Sequence, residues 1–359
     1  TFPNYCSDMT QHKTQQPSDT RLTQLKEWLQ PKTPALGIAL ETLEPASSDA
    51  SFRRYFRIQA HDRTLVVMDA PPTQENCEPF LHVTALLRDV GLNVPTILAQ
   101  DLQQGFLLIS DLGPQTYYQA IQSGLSDDIL QARYREALSA LATMQTAKMH
   151  GLPVYDESRM LAELSLFPEW YVERHCNATL TQQEREDLDT LFQTLVTDNV
   201  RGAKVLVHRD FHSPNLMLCS EPRFGANPGI IDYQDAVAGP ITYDIASLVM
   251  DARASWEEPQ QLDWAIRYWQ EALKLKLPVD TDFTDFHRAY EWMGLQRNLR
   301  ILGVFARLSL RDGKHHYLDH IPRVMTYVRQ VAERYIQFKP LLRLLDRLEG
   351  KTRVMGLTL

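Results

Sequence analysis

The chain has 359 residues, 44% of them hydrophobic, and a net charge of −8, which allows two lobes with packed cores. The acidic balance argues against nucleic acid or an anionic membrane surface as the main partner, since phosphate-rich surfaces select basic footprints. Cys6, Cys77, Cys176 and Cys219 form no CxxC pair, so a zinc site or a disulfide framework is not expected, and a reducing cytoplasm fits.

Residues 1–18 are polar, lack an apolar signal core and read as a flexible tail, with Met9 a candidate natural start. Arg21–Leu29 has helical apolar spacing, and Ala35–Leu43 reads as a strand. Phe52–Ile58 and Thr64–Met68 read as a hairpin turning at Gln59–Arg63. Glu75–Val90 carries Phe80, Val83, Leu86 and Leu87 on one helical face and closes at Gly91. Val94–Ala99 and Phe106–Ile109 are two further strands. Ser110-Asp111-Leu112-Gly113-Pro114 then reads as a hinge, after which helical periodicity dominates: Asp127–Met149, Gln182–Asp198, Pro259–Leu275, Phe283–Leu310 and Tyr317–Phe338. A strand-rich island, Lys204–Val207, Leu216–Cys219 and Gly229–Asp232, interrupts them. No apolar run reaches membrane-spanning length. The expected architecture is α+β and bilobal: a β-rich N-lobe over 19–112 that binds nucleotide, and a larger helical C-lobe over 113–359 with the catalytic loop and acceptor pocket.

The island carries the chemistry. Phosphoryl transfer needs a proton acceptor beside the attacking hydroxyl and oxygen ligands for magnesium on the phosphates. Asp210 and Asn215 stand four residues apart after an apolar strand, and Asp232 ends another. Pairing the strands that flank Ser220–Pro228 brings Asn215 and Asp232 together. Asp210 is then the base, with Asn215 and Asp232 the metal ligands. Each residue alone reads as a turn former or cap; the conjunction reads as a phosphoryl-transfer site.

The segment Val207-His208-Arg209-Asp210-Phe211-His212-Ser213-Pro214-Asn215-Leu216, with Ile231-Asp232-Tyr233-Gln234-Asp235 downstream, resembles the aminoglycoside phosphotransferase and choline kinase superfamily. The resemblance covers about residues 35–340 and implies a protein-kinase-like fold using ATP and Mg2+. Tyr243-Asp244-Ile245-Ala246 matches its downstream D-[IL]-A, which implies that Asp244 braces the catalytic loop; a plain helix N-cap is the other reading. His208 belongs to the same structural frame. Ser48–Arg57, Val66–Pro72, Phe167–His175 and Leu295–Gly303 look like a branch of that superfamily, the anomeric kinases of N-acetylmuramate and N-acetylglucosamine. They imply transfer to the C1 hydroxyl of an amino sugar during peptidoglycan recycling. A cytoplasmic monomer or weak oligomer is expected.

Two departures from the pattern stand out. The turn at Ser47–Ser51 has no glycines, and the third strand, Leu65-Val66-Val67-Met68-Asp69, has no lysine for the phosphates. Ser48, Ser51 and Arg53 are the candidate phosphate contacts, among the cations Arg53, Arg54 and Arg57. Ser110, Asp111 and Leu112 are candidates for adenine and ribose. The acceptor pocket draws on Glu173, Arg174, His175, His212, Asp235 and Arg300, with Trp170 and Tyr171 as stacking surfaces, Asn298 beside Arg300, and Arg174 or Arg300 for a sugar carboxylate. Kinases of aminoglycosides, choline or homoserine remain alternatives, since Glu169, Glu173, Asp235 and Asp251 suit cationic acceptors. A nucleotide-binding pseudokinase is a further one. A protein kinase is disfavoured by the short path from Asp232 to Asp244.

Overall fold

A computed structural model describes residues 19–48 and 52–350. The chain divides into two compact units. One comprises the described residues through Asn76 together with Thr96–Asp111; the other comprises Cys77–Pro95 together with the described residues from Leu112.

In the first unit, helix α1 (Thr20–Leu29) precedes a short helix α2 (Thr33–Leu36), and Gly37 closes α2 at φ +63°. The expected strand from Ala35 therefore starts at Ile38, because Pro34 in the first turn favours helix there. Strands β1 (Ile38–Ser48), β2 (Arg54–Ala60), β3 (Arg63–Asp69), β4 (Ile97–Asp101) and β5 (Phe106–Ser110) form, among the described residues, one antiparallel sheet in the order β1-β2-β3-β5-β4. Alternation puts Phe56, Ile58 and Ala60 of β2 and Leu65 and Val67 of β3 into one core with Leu25 and Leu29 of α1. Arg54 of β2 and Arg21 of α1 both donate to Asp69, whose carboxylate is fully buried.

The second unit opens with helix α3 (Glu78–Asp89), which the sequence suggests for the N-lobe. Its aromatic face explains the grouping: Phe80 stacks on Tyr233 at 5.2 Å between centroids, and Thr84 Oγ1 bonds the Tyr233 hydroxyl at 2.8 Å. The helices that follow are α4 (Tyr117–Gln122), α5 (Asp127–Met144), α6 (Glu157–Leu164) and α7 (Gln182–Arg201). Two small ladders come next. Strand β6 (Lys204–Val207) pairs with β9 (Val237–Pro240), and β7 (Leu216–Met217) pairs with β8 (Gly229–Ile230). Helices α8 (Tyr243–Val249), α9 (Glu258–Lys274), α10 (Phe283–Leu310), α11 (Ile321–Arg334) and α12 (Lys339–Leu348) complete the unit.

The run Tyr317–Phe338 is not one helix. Pro322 opens α11 after a 3-10 segment, and Tyr335 is extended, so the helix ends at Arg334. Among the described residues no helix is long and apolar enough to cross a membrane.

Candidate active site

The loop between β6 and β7 is held at three points. At its entry, the Asp244 carboxylate accepts the backbone N–H groups of His208 and Arg209 at 2.7 and 3.0 Å. Thr242, not Asp244, is the cap of α8; Asp244 is turned away from its own helix onto the loop. At the exit, the Asp251 carboxylate accepts the Ser213 N–H at 3.0 Å and the Ser213 hydroxyl. Between them, His208 Nε2–H donates to the Ile231 carbonyl at 3.0 Å, leaving Nδ1 to accept the Asp210 N–H at 3.3 Å. The imidazole thus links the loop to the residue before Asp232.

These ties position residues in backbone conformations they would not choose. Arg209 lies at φ +79° and Asp232 at φ +64°. A side chain in that left-handed region costs of order 1–3 kcal/mol, and such strain persists where surrounding bonds over-determine it. The departure of Asp232 from extended geometry is also why β8 stops at Ile230, short of the strand expected through Asp232.

Asn215 is the hub of the loop. Its Nδ2 donates to the Asp210 carbonyl at 3.0 Å and to Asp232 Oδ2 at 3.2 Å, and it lies 3.2 Å from His212 Nε2. Gln234 Nε2 donates to Asp232 Oδ1 at 2.7 Å. With Nδ2 committed to these bonds, the Asn215 amide oxygen makes no hydrogen bond to the described residues. An amide oxygen beside a carboxylate is a donor set for a hard divalent cation that keeps most of its shell as water or phosphate oxygen. Among the described residues no group of three or more His, Cys, Asp or Glu forms a closed metal cage.

The Asp210 carboxylate accepts no hydrogen bond from a described residue and is partly exposed. Burial pushes its pKa up, but the electrostatic influence of the side chains around it, His212 and then Arg300, Arg297 and His208, outweighs that and holds it at about 2. Burial lowers His212 to about 4, so the ring is neutral near pH 7. Burial raises Asp244 to about 6, against the two N–H groups it accepts.

On the other side of the loop, Glu163 of α6 accepts from Arg209 and from the Tyr155 hydroxyl at 2.7 Å, and pairs with Arg300 Nε at 3.2 Å. Arg300 therefore shares one carboxylate with Arg209, and its charge is among those that lower Asp210. The structure does not bring Glu173 and Arg174 into this cluster. Glu173 pairs with Arg185 of α7, and Arg174 pairs with Glu169 and covers one face of Trp170 at 3.9 Å, all at the surface. Trp170 thus has an arginine where a sugar was expected. Tyr171 is buried, stacked between Phe167 and His175. The cause is the helix itself: Phe167–His175 winds as a π-helix, which changes which side chains share a face. Asp235 is exposed and makes no bond to a described residue.

In the first unit, Arg53 pairs with Glu75 at 3.0 Å, and Arg57 with Asp111 at 2.7 Å. Thr64 also donates to Asp111, so that carboxylate is engaged within its own sheet. Ser110 Oγ accepts the Thr96 N–H at 2.8 Å. Ser51 lies outside the described residues, and the Ser48 side chain is likewise not described; its backbone ends β1. Leu112, in the second unit, is buried with Met217, Cys219 and Phe224.

A model of the phosphotransferase enzyme family matches residues 42–292. The chain belongs to that family. This phosphotransferase is 45% identical over 324 residues to the N-acetylmuramate/N-acetylglucosamine kinase of Pseudomonas aeruginosa, covering 88% of this chain and 93% of the relative. It is 42% identical over 332 residues to the protein of the same name from Neisseria meningitidis, covering 92% and 96%. Among solved structures, the GDP complex of aminoglycoside 2′-phosphotransferase-IIIa matches 89% of this chain and 100% of its own, with a TM-score of 0.59 at 16% identity. That likeness shows the protein-kinase-like fold.

The braces Asp251 and Glu163 escaped sequence reading as braces. Asp251 had a signal: it stands seven residues after Asp244, just beyond the apolar run that reads as the same helix. Glu163 had none, because its partners Arg209 and Arg300 are remote in sequence.

Proposed function

We propose that this phosphotransferase moves the γ-phosphoryl group of ATP onto a hydroxyl of an amino sugar, the C1 hydroxyl of N-acetylmuramate or N-acetylglucosamine. The substrate reading rests on one observation: relatives at 42–45% identity carry that name over nearly their whole length. The chemical reading rests on Asp210, whose carboxylate is ionised, held on a clamped loop and left without a hydrogen-bond donor.

In the reaction, an Asp210 oxygen accepts the proton of the sugar hydroxyl while the sugar's own oxygen bonds to the γ-phosphorus. The bond from phosphorus to the bridging oxygen breaks, and ADP leaves. Bound Mg2+ would neutralise charge on the phosphate oxygens; Asn215 and Asp232 are the residues that would hold it. Arg209 and Arg300, both matched by Glu163, shape the acceptor side, and His212 offers a neutral ring to a sugar hydroxyl. On the nucleotide side, the backbone around Ser110–Leu112 is the candidate for adenine, and Ser48 and Ser51 are the candidates for phosphate. Arg53 is the candidate cation there, in exchange with Glu75.

Incubation with MgATP and each sugar, followed by phosphorus NMR, tests this. An acid-labile anomeric phosphate is the expected product, and its absence with both sugars overturns the substrate assignment.

A further inference from the structure

Arg297 lies midway along α10, is 3% exposed, and has buried Nε and Nη1 atoms with no hydrogen-bond partner. Its guanidinium forms no ion pair with a described residue, whereas on the same helix Arg288 is matched by Asp198 and Arg300 shares Glu163 with Arg209. An unmatched buried cation is costly, so a site that keeps one is built for an anion that arrives.

The surroundings point the same way. One turn earlier, Gly294 lets α10 pack against Met250 and Ala246 at the end of α8; a Cβ there would lie 2.5 Å from Met250 Sδ. Arg297 stands three residues after Gly294 and so shares the face of α10 that packs on α8. Further buried polar atoms without partners occur on these same elements: Asn298 Oδ1, Ser247 Oγ, Tyr243 Oη and His212 Nδ1. The carboxylates that brace the loop have other duties. Asp244 accepts two loop N–H groups, Asp251 accepts Ser213 and the Arg253 N–H, and Glu163 accepts Arg209 and Tyr155. The positive charge of Arg297 is also among those that hold the Asp210 carboxyl low, so the guanidinium lies near the base.

We infer that Arg297 is the receptor for a carboxylate carried on the acceptor sugar, and so the residue that lets the site take an acidic amino sugar as well as a neutral one. This rests on the function proposed above, in which N-acetylmuramate bears a lactyl carboxylate and N-acetylglucosamine does not. It replaces Arg174, spent on Glu169 and Trp170, in that role, while Arg300 shares the single charge of Glu163 with Arg209.

Initial rates on both sugars for wild type, Arg297→Gln and Arg297→Lys decide it. Loss of one charge-assisted contact predicts that Arg297→Gln loses about 30-fold in kcat/KM for N-acetylmuramate, chiefly through KM, and less than about 3-fold for N-acetylglucosamine. Arg297→Lys keeps the charge and part of the preference. Equal losses on both sugars by variants that melt like wild type, or no loss on the acidic sugar, overturn the inference. Should the variants not fold, wild-type inhibition decides: D-lactate competes against N-acetylmuramate and not against N-acetylglucosamine, and equal behaviour toward both overturns it. If wild type phosphorylates neither sugar, the proposed function fails and this inference falls with it.

Discussion

Asp210 differs from the carboxylates around it in what it does not do. Asp244, Asp251 and Glu163 accept backbone or side-chain donors, whereas Asp210 accepts none. Replacing it removes chemistry without removing a brace. Asp210→Asn is expected to lower kcat by about a thousandfold, the range for a positioned base, and to melt near the wild-type temperature. Paired kinetic and melting measurements check this. The neighbouring His212 makes a pH prediction. Its folded pKa is about 4 against a usual 6.5, so the unfolded chain takes up this proton first on acidification. Its contribution to stability is complete above pH 6.5 and is lost as pH falls through 4, by up to about 3 kcal/mol. The stability gap between wild type and His212→Gln should therefore shrink by that order between pH 7 and pH 4, read from denaturant unfolding at each pH.

At the scale of elements, α8 is the part that makes the loop. Seven residues long and wholly buried, it contributes Asp244 from its first turn, with Asp251 just past its end. Asp244→Asn turns one acceptor into a donor facing a backbone N–H. It should cost about 1–3 kcal/mol of stability, as for a buried donor left unmatched, and lower kcat while KM for ATP changes little. Calorimetry and steady-state kinetics read the two effects. The convergence of Asp210, Asn215 and Asp232 was legible because it is local: one strand, one loop and one ladder. The acceptor side was not. Glu173 and Arg174 looked equally plausible, but a π-helix does not keep the 3.6-residue register that sequence reading assumes, and their partners Arg185 and Glu169 complete ordinary surface pairs. Arg297 was hidden by the same limit, since nothing in a heptad pattern tells a buried arginine from a surface one.

Across the second unit, α10 is the common wall. Its 28 residues run about 42 Å, and α7, α8, α11 and the π-helix all pack on it. Two glycines set how closely. At Gly303 a Cβ would sit 2.3 Å from the Leu166 carbonyl oxygen, which is backbone and cannot step aside. At Gly294 it would meet the Met250 side chain, which can rotate. Gly303→Ala is expected to cost about 2–3 kcal/mol through forced separation of α10 from the π-helix, despite alanine's better helix propensity. Gly294→Ala should fall within about 1 kcal/mol of wild type. Thermal melts of the two variants side by side check the ordering.

The clamp on the catalytic loop is written almost wholly within Lys204–Asp251, while Glu163, Arg297 and Arg300 lie outside that stretch. The molecule thereby keeps its reagent and its lock in separate parts of the gene. Substitutions that retune which sugar is accepted can accumulate on α10 around Arg297 while the bonds that present the base stay in place. A family built this way can diversify its acceptors while the chemistry stands still.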